Sequence, residues 1–185
     1  MERNGSFRRK ELFVSEMSNS GAEIRAVAEG YGTVTPWIIS RDTAGLIEFV
    51  GRAFGAEEIA RVHNEDGSIG HAEFRIGDSV VMAFDATEEW PDTPGFLRLY
   101  VEDADEVHRR ALEAGATSVT EVTHLFWGDR VGRVRDSYGN LWWIQARVEE
   151  VGPADMERRA GEKEWIERMT YVQESLEREL ENRTR

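Results

Sequence analysis

His71 and Glu73 stand two residues apart in the stretch IGHAEFRI, residues 69–76. There Ala72, Phe74 and Ile76 alternate with His71, Glu73 and Arg75, the period of a strand with one apolar face. An imidazole and a carboxylate on one strand face can work as a general acid/base pair. With His63, on the strand before the intervening turn, they offer the donors of an atypical metal site. Whether His63 reaches His71 depends on the hairpin register, and a strand histidine that merely faces solvent fits the pattern equally. His124 is a further candidate for such chemistry, whereas His108 falls in a helical pattern and is expected on the surface. Arg98 sits between leucines in FLRLYV, residues 96–101. A charge on a largely apolar surface needs a partner, either a structural carboxylate such as Glu73 or an anionic group of a ligand that suits the guanidinium fork. Arg130, Arg133 and Arg135 crowd a short strand and are expected to pair with Asp129 and Asp136 beside it.

Other chemistries are excluded. The chain has no cysteine, hence no disulfide, thiolate nucleophile or cysteine metal site. It carries no G-x-S-x-G, P-loop, H-E-x-x-H or dinucleotide fingerprint. A net charge of −13 and a pI near 4.8 repel phosphate backbones, so no nucleic-acid partner is expected. No apolar run approaches the ~18–20 residues of a membrane span, and the N-terminus lacks the apolar core of a secretory signal. The expectation is a cytoplasmic protein with no membrane partner.

The elements that must position these groups fall into a repeat of about 60 residues, the spacing from Asp42 to Asp103. Each copy reads strand, helix, then three strands. TVTPWIIS (33–40) is β-branched and aromatic, Asp42 caps a helix, and Gly55 ends it. Strands follow at 56–64, 69–76 and 79–85, with a hairpin turn at EDGS. The second copy has a strand at 96–101, a helix capped by Asp103 and ended by Gly115, and strands at 117–126, 131–136 and 141–148. Two βαβββ modules, 31–85 and 95–150, make an α+β fold in which one face of each sheet is covered by its helix and the opposite faces curve around a cleft. Residues 1–30 read as a flexible N-terminal arm. Residues 151–185 form a charged helical extension, interrupted at Gly161. Within it Trp165, Met169, Val172, Leu176 and Leu180 make an apolar stripe for docking on the domain or on a partner subunit.

The segments VTPWIISRDTAGLIEFVGRAFGAEEI, IGHAEFRIGDSVVMAFD, LYVEDADEVHRRALEAGAT and FWGDRVGRVRDSYGNLWWI together resemble the vicinal oxygen chelate superfamily of glyoxalase I, bleomycin-resistance proteins and extradiol dioxygenases. The wording is nearest its PhnB-like branch. The resemblance covers about residues 31–150 and neither extension. It implies a cup-shaped mixed sheet built from the paired modules, a homodimer, and in metal-using members four strand positions that hold a divalent cation. Those positions fall on Thr35, Met82, Phe96 and Trp143, which do not make a site for a hard or borderline cation. Shifting each by two gives Trp37, Phe84, Arg98 and Gln145, so no metal or cofactor is expected.

Strand alternation then assigns the cup lining. Thr35, Trp37 and Ile39, Met82 and Phe84, Phe96, Arg98 and Tyr100, and Leu141, Trp143 and Gln145 face the cup, with Arg133 near its rim. Trp142, Ile144 and Ala146 face the core. Aromatic walls with few polar groups describe a small-molecule pocket, although the same aromatics would also serve a dimer interface. The expected function is the binding of an aromatic or anionic organic ligand, an antibiotic or a metabolite, by Trp37, Phe84, Phe96, Arg98, Tyr100, Trp143 and Gln145. One alternative is a metal-free isomerase, lyase or cyclase acting on a biosynthetic intermediate, with Glu73 or His71 as its acid/base. The other is a structural or regulatory dimer.

Overall fold

Two aspartates open the two helices of the repeat in the same way. In the computed structural model, which describes residues 24–183, α1 (Thr43–Phe54) follows Asp42, whose carboxylate accepts the Gly45 N–H at 2.9 Å. α2 (Ala104–Glu113) follows Asp103, whose carboxylate accepts the Glu106 N–H at 3.0 Å. Each cap satisfies a donor the helix cannot, typically worth about 1 kcal/mol. Gly55 ends α1 in the left-handed conformation at φ 71°, where a side chain would be strained.

The strands of the first module are β1 (Trp37–Ser40), β2 (Glu57–His63), β3 (Ile69–Ile76) and β4 (Ser79–Asp85), in the order β1-β4-β3-β2. Those of the second are β5 (Phe96–Tyr100), β6 (Thr117–His124), β7 (Asp129–Arg135) and β8 (Leu141–Arg147), in the order β5-β8-β7-β6. In both sheets the first strand runs parallel to the last and the remaining pairs are antiparallel. The repeat expected from the sequence is therefore a repeat of topology, and the fold is α+β with mixed sheets.

The helix-covered faces of the two sheets share one core. Ile38, Phe74 and Ala83 from the first sheet and Val134, Trp142 and Ile144 from the second join Leu46, Val50, Val107 and Ala111 of the helices. α1 and α2 touch each other, and the Phe54 ring packs on Trp142 with centroids 4.8 Å apart. Asp136, 1% exposed, anchors the second module. It accepts the backbone N–H groups of Tyr138 and Asn140 at 2.9 and 2.8 Å, the Asn140 amide at 2.9 Å and the Trp142 indole N–H at 2.8 Å.

The C-terminal extension forms α3 (Pro153–Ala160) and α4 (Lys163–Arg183), parted at Gly161 as expected. α4 docks on the chain's own second sheet, on the face turned away from α2. Val172 is buried against Leu125 and Val131, with Met169 and Trp127 packed around them. Ser175 and Thr120 hydroxyls lie 2.7 Å apart, and the Tyr171 hydroxyl accepts the Glu121 N–H at 2.9 Å. Leu180, at the end of the expected stripe, stays exposed. The first 23 residues of the expected N-terminal arm lie outside the described residues; Ile24 to Gly30 are exposed. Among the described residues no helix is long and apolar enough to cross a membrane.

Because Asp136 satisfies four donors at once, Asp136→Ala should lower the unfolding free energy by about 3 kcal/mol or more. Urea denaturation measures it, and a loss under about 1 kcal/mol would contradict the role of this carboxylate.

Candidate functional site

Trp143 is placed by the alternation of β8. Trp142, Ile144 and Ala146 enter the core, so Trp143 stands on the opposite face of the sheet, half-buried. Register then decides its neighbours. Trp143 pairs with Arg98 on β5 and with Arg133 on β7, and Arg133 pairs in turn with Thr120 on β6. The four make one row across the second sheet. The Arg98 guanidinium carbon lies 4.2 Å from the Trp143 ring centroid and that of Arg133 lies 3.9 Å from it, one from each neighbouring strand.

Neither arginine has a carboxylate partner among the described residues, and Arg98 has no hydrogen bond either. Arg133 is 3% exposed. It donates to the Thr120 hydroxyl at 3.0 Å and the Val172 carbonyl at 2.7 Å, and its buried Nε has no partner. Burial, and then the charge of Arg98, pull its pKa down to about 10. A base whose pKa falls on folding is charged in both states at neutral pH, so its charge opposes folding there. The Trp143 indole N–H is also buried without a partner. Beside this row Phe96, Leu97, Arg98 and Trp143 line a recess of about 190 Å³. The arrangement concentrates positive charge at an aromatic surface and can take a planar anion.

The expected pairing of the three clustered arginines with Asp129 and Asp136 is overturned. Arg130 forms a bidentate pair with Asp105 at 2.6 and 2.7 Å, and Arg135 pairs with Glu179 of α4 at 3.0 Å. Asp129 is occupied by Gln145 and Arg147, and Asp136 by the donors described above. Arg133 is thus left without a counter-charge. Nor is Glu73 the partner of Arg98, because the two lie in different sheets and Glu73 is taken. His108 is buried, at 4% exposure, with its ring nitrogen 3.3 Å from the Ser118 hydroxyl, because α2 turns that face toward β6 and β7.

The remaining candidates divide between the sheets. On the outer face of the first sheet, Trp37 and Phe84 meet edge to face at 5.5 Å, and Trp90 meets Phe84 at 5.9 Å. Together with Ile39 and Gly70, Trp37 and Phe84 border an open recess of about 420 Å³. On the second sheet Phe96 and Tyr100 are exposed beside Arg98, while Gln145 is buried and donates to Asp129. One chain therefore presents two aromatic patches, on sheet faces that both turn away from the shared core.

His71 and Glu73 do meet. The imidazole nitrogen is 2.8 Å from one Glu73 oxygen, and the Tyr31 hydroxyl donates to the other. These bonds, Tyr31's first, hold the Glu73 carboxyl below its ordinary pKa, so it is ionised at neutral pH. His63 does not join them. It pairs with Ile69 while Val62 stands opposite His71, and its ring bonds the Gly67 carbonyl in the turn at 3.0 Å. His124 meets Trp165 edge to face at 5.3 Å, and burial lowers its pKa. Among the described residues no three His, Asp or Glu side chains gather as a cation site. Three of the four positions implied by resemblance also do not fit a cation: Phe96 is apolar, Met82 lies beside Trp37, and Trp143 stands between two guanidiniums. Arg133, expected near the cup rim, shares the face of Arg98 and Trp143. Nothing in the sequence singled out Tyr31.

Comparison with known proteins gives three findings. A family model described as "Glyoxalase/Bleomycin resistance protein/Dioxygenase superfamily" matches residues 30–144. An uncharacterised protein of Mycobacterium bovis is 36% identical over 129 residues, 64% of this chain and 85% of the relative. Among solved structures, TioX from Micromonospora sp. ML1 superposes with a TM-score of 0.54 at 26% identity, over 63% of this chain and all of its own. The fosfomycin resistance protein FosX of Listeria monocytogenes shares the fold at a TM-score of 0.54 and 17% identity, over 68% of this chain and 97% of its own.

An uncompensated buried charge makes an unusual stability forecast. Arg133→Met gives up two hydrogen bonds yet should leave the unfolding free energy within about 1 kcal/mol of wild type, or raise it. A loss of about 3 kcal/mol in urea denaturation would mean that Arg133 is a structural tie whose charge is satisfied.

Proposed function

The chain belongs to the glyoxalase/bleomycin resistance protein/dioxygenase superfamily, and from that membership we propose that it is a small-molecule-binding protein that takes an aromatic organic anion, an antibiotic or a metabolite, against Trp143. The observation that carries this reading is the row Arg98–Trp143–Arg133, two guanidiniums on one indole with no carboxylate of their own. A chain with a net charge of −13 has acids to spare, and among the described residues none lines this recess. The ligand's ring stacks on the exposed part of Trp143 and Phe96, and its acidic group bonds Arg98. A recess of about 700 Å³ along β5 is a poorer anion site, because Asp78, Glu102, Asp103 and Glu106 line it and outnumber Arg98 and Arg110.

The functional unit in this proposal is a homodimer in the cytoplasm. Trp37, Phe96 and Tyr100 are 58%, 56% and 68% exposed in the single chain, a large aromatic surface for a monomer. A second copy that laid its first sheet opposite the second sheet of its partner would bring Trp37 and Phe84 to the cup that Trp143 begins. A second reading, proton transfer without a metal, rests on Glu73. It is ionised and held by Tyr31 and His71, so it would act as a general base rather than an acid.

Anilinonaphthalene sulfonate and its uncharged analogue N-phenylnaphthylamine test the anion site directly. The sulfonate should bind the tighter of the two. Arg98→Ala should weaken it about ten-fold or more, the worth of a charged hydrogen bond, while leaving the neutral probe within about two-fold. Trp143→Ala should weaken both. Equal losses for both probes in Arg98→Ala would remove the proposed role of that residue. In sedimentation equilibrium the full chain should weigh about twice 21.1 kDa, and Trp37→Asp should halve that mass. A monomer at micromolar concentration would overturn the dimeric cup.

A further inference from the structure

We infer that α4 is a wall of the ligand site and that Arg133 is the positioning residue through which an organic anion, and not a neutral analogue, tightens the helix onto the sheet. The inference rests on the anion site proposed above and extends it to the C-terminal extension, which lies beyond the family match at residues 30–144.

α4 is held weakly. Of its 21 residues only Val172 and Ser175 are buried, and both sit over the same spot on the sheet. That spot is Arg133. Its guanidinium donates upward to the Val172 carbonyl at 2.7 Å and sideways to the Thr120 hydroxyl at 3.0 Å, and Thr120 lies 2.7 Å from the Ser175 hydroxyl. Docking of α4 therefore strips water from a guanidinium while supplying a single carbonyl, that of Val172, in place of a negative charge. The electrostatic cost of that burial falls on the docked state alone.

On its other side the guanidinium stacks on Trp143, and the far neighbour of Trp143 is Arg98. An anion bound at Arg98 thus lies one indole away from Arg133, close enough for its charge to act on the buried guanidinium. It offsets the cost of the buried cation only while the helix keeps water out. When α4 lifts, Arg133 is solvated and its field at the site is screened. The anion consequently binds the docked form more tightly, and linkage requires that it stabilise docking by the same factor. A neutral ligand of the same shape lacks that difference in affinity and shifts nothing. Because Arg133 is almost wholly buried, the ligand needs no contact with it.

The full chain with saturating anilinonaphthalene sulfonate or N-phenylnaphthylamine tests this by backbone hydrogen exchange. The sulfonate should slow exchange across residues 163–183 about five-fold or more, the lower end of typical coupling between sites, and the neutral probe should leave it unchanged. In Arg133→Met the sulfonate should still bind at Arg98 but no longer slow α4. Val172→Ala, which loosens docking and keeps the charge, should weaken the sulfonate and spare the neutral probe. If the sulfonate binds in preference to its analogue and exchange in α4 does not change, or slows equally in Arg133→Met, the coupling is wrong while the anion site stands. If neither probe is preferred, the anion site falls and the coupling falls with it.

Discussion

A strand turns successive side chains to opposite sides, and a sheet covered by a helix on one side must therefore divide its residues into two sets. In each module of this protein one set, which includes Phe74 and Ala83 or Trp142 and Ile144, enters a single core shared by both sheets. The other set is turned outward by the same geometry. Everything at the candidate site follows from that division. Trp143 can be an aromatic surface because Trp142 is the aromatic core, and Arg98 can be an exposed cation because Leu97 and Leu99 pack inward.

The division also explains why the second sheet carries a cost that the first does not. On the first sheet His71 and Glu73 of the outer set satisfy each other, and Tyr31, from the segment before β1, also bonds Glu73. On the second sheet the acids are drawn elsewhere: Asp136 to the β7–β8 turn, Asp129 to Gln145 and Arg147, Asp105 to Arg130 and Glu179 to Arg135. Arg133 is left beside Arg98 and then roofed by α4. Buried charge without a partner costs stability. Proteins keep such an arrangement where something outside the fold completes it.

The C-terminal extension changes what the repeat alone would make. Two equivalent modules would present two equivalent outer faces. α4 covers Leu125, Val131 and Arg133 on one of them and leaves the recess of Phe96, Arg98 and Trp143 open, so the two faces differ through a helix that belongs to neither module. A small set of contacts at Val172, Ser175 and Tyr171 is sufficient to place that helix, because its charged face needs no burial and is laced by i,i+4 pairs such as Glu164–Arg168 at 2.5 Å.

The sequence by itself determined the repeat, the caps at Asp42 and Asp103, the order of elements and the parity of β1, β3, β4, β5 and β8. These are local matters of periodicity and turn chemistry, readable from one segment at a time. It also assigned Trp142 to the core and Trp143 to the opposite face. Partners were decided only by the tertiary structure, because they come from register and from competition among residues far apart in the chain. Asp129 and Asp136 stand beside the arginines in sequence, yet their oxygens were claimed by Gln145, Arg147, Trp142 and backbone amides. His63 and His71 were divided by one residue of hairpin register, and His108 was buried by the face that α2 turned to the sheet. A side chain's direction is fixed by its own backbone, but its charge is satisfied only by what the whole fold brings within 3 Å or so, and that decision left Arg133 alone with Trp143.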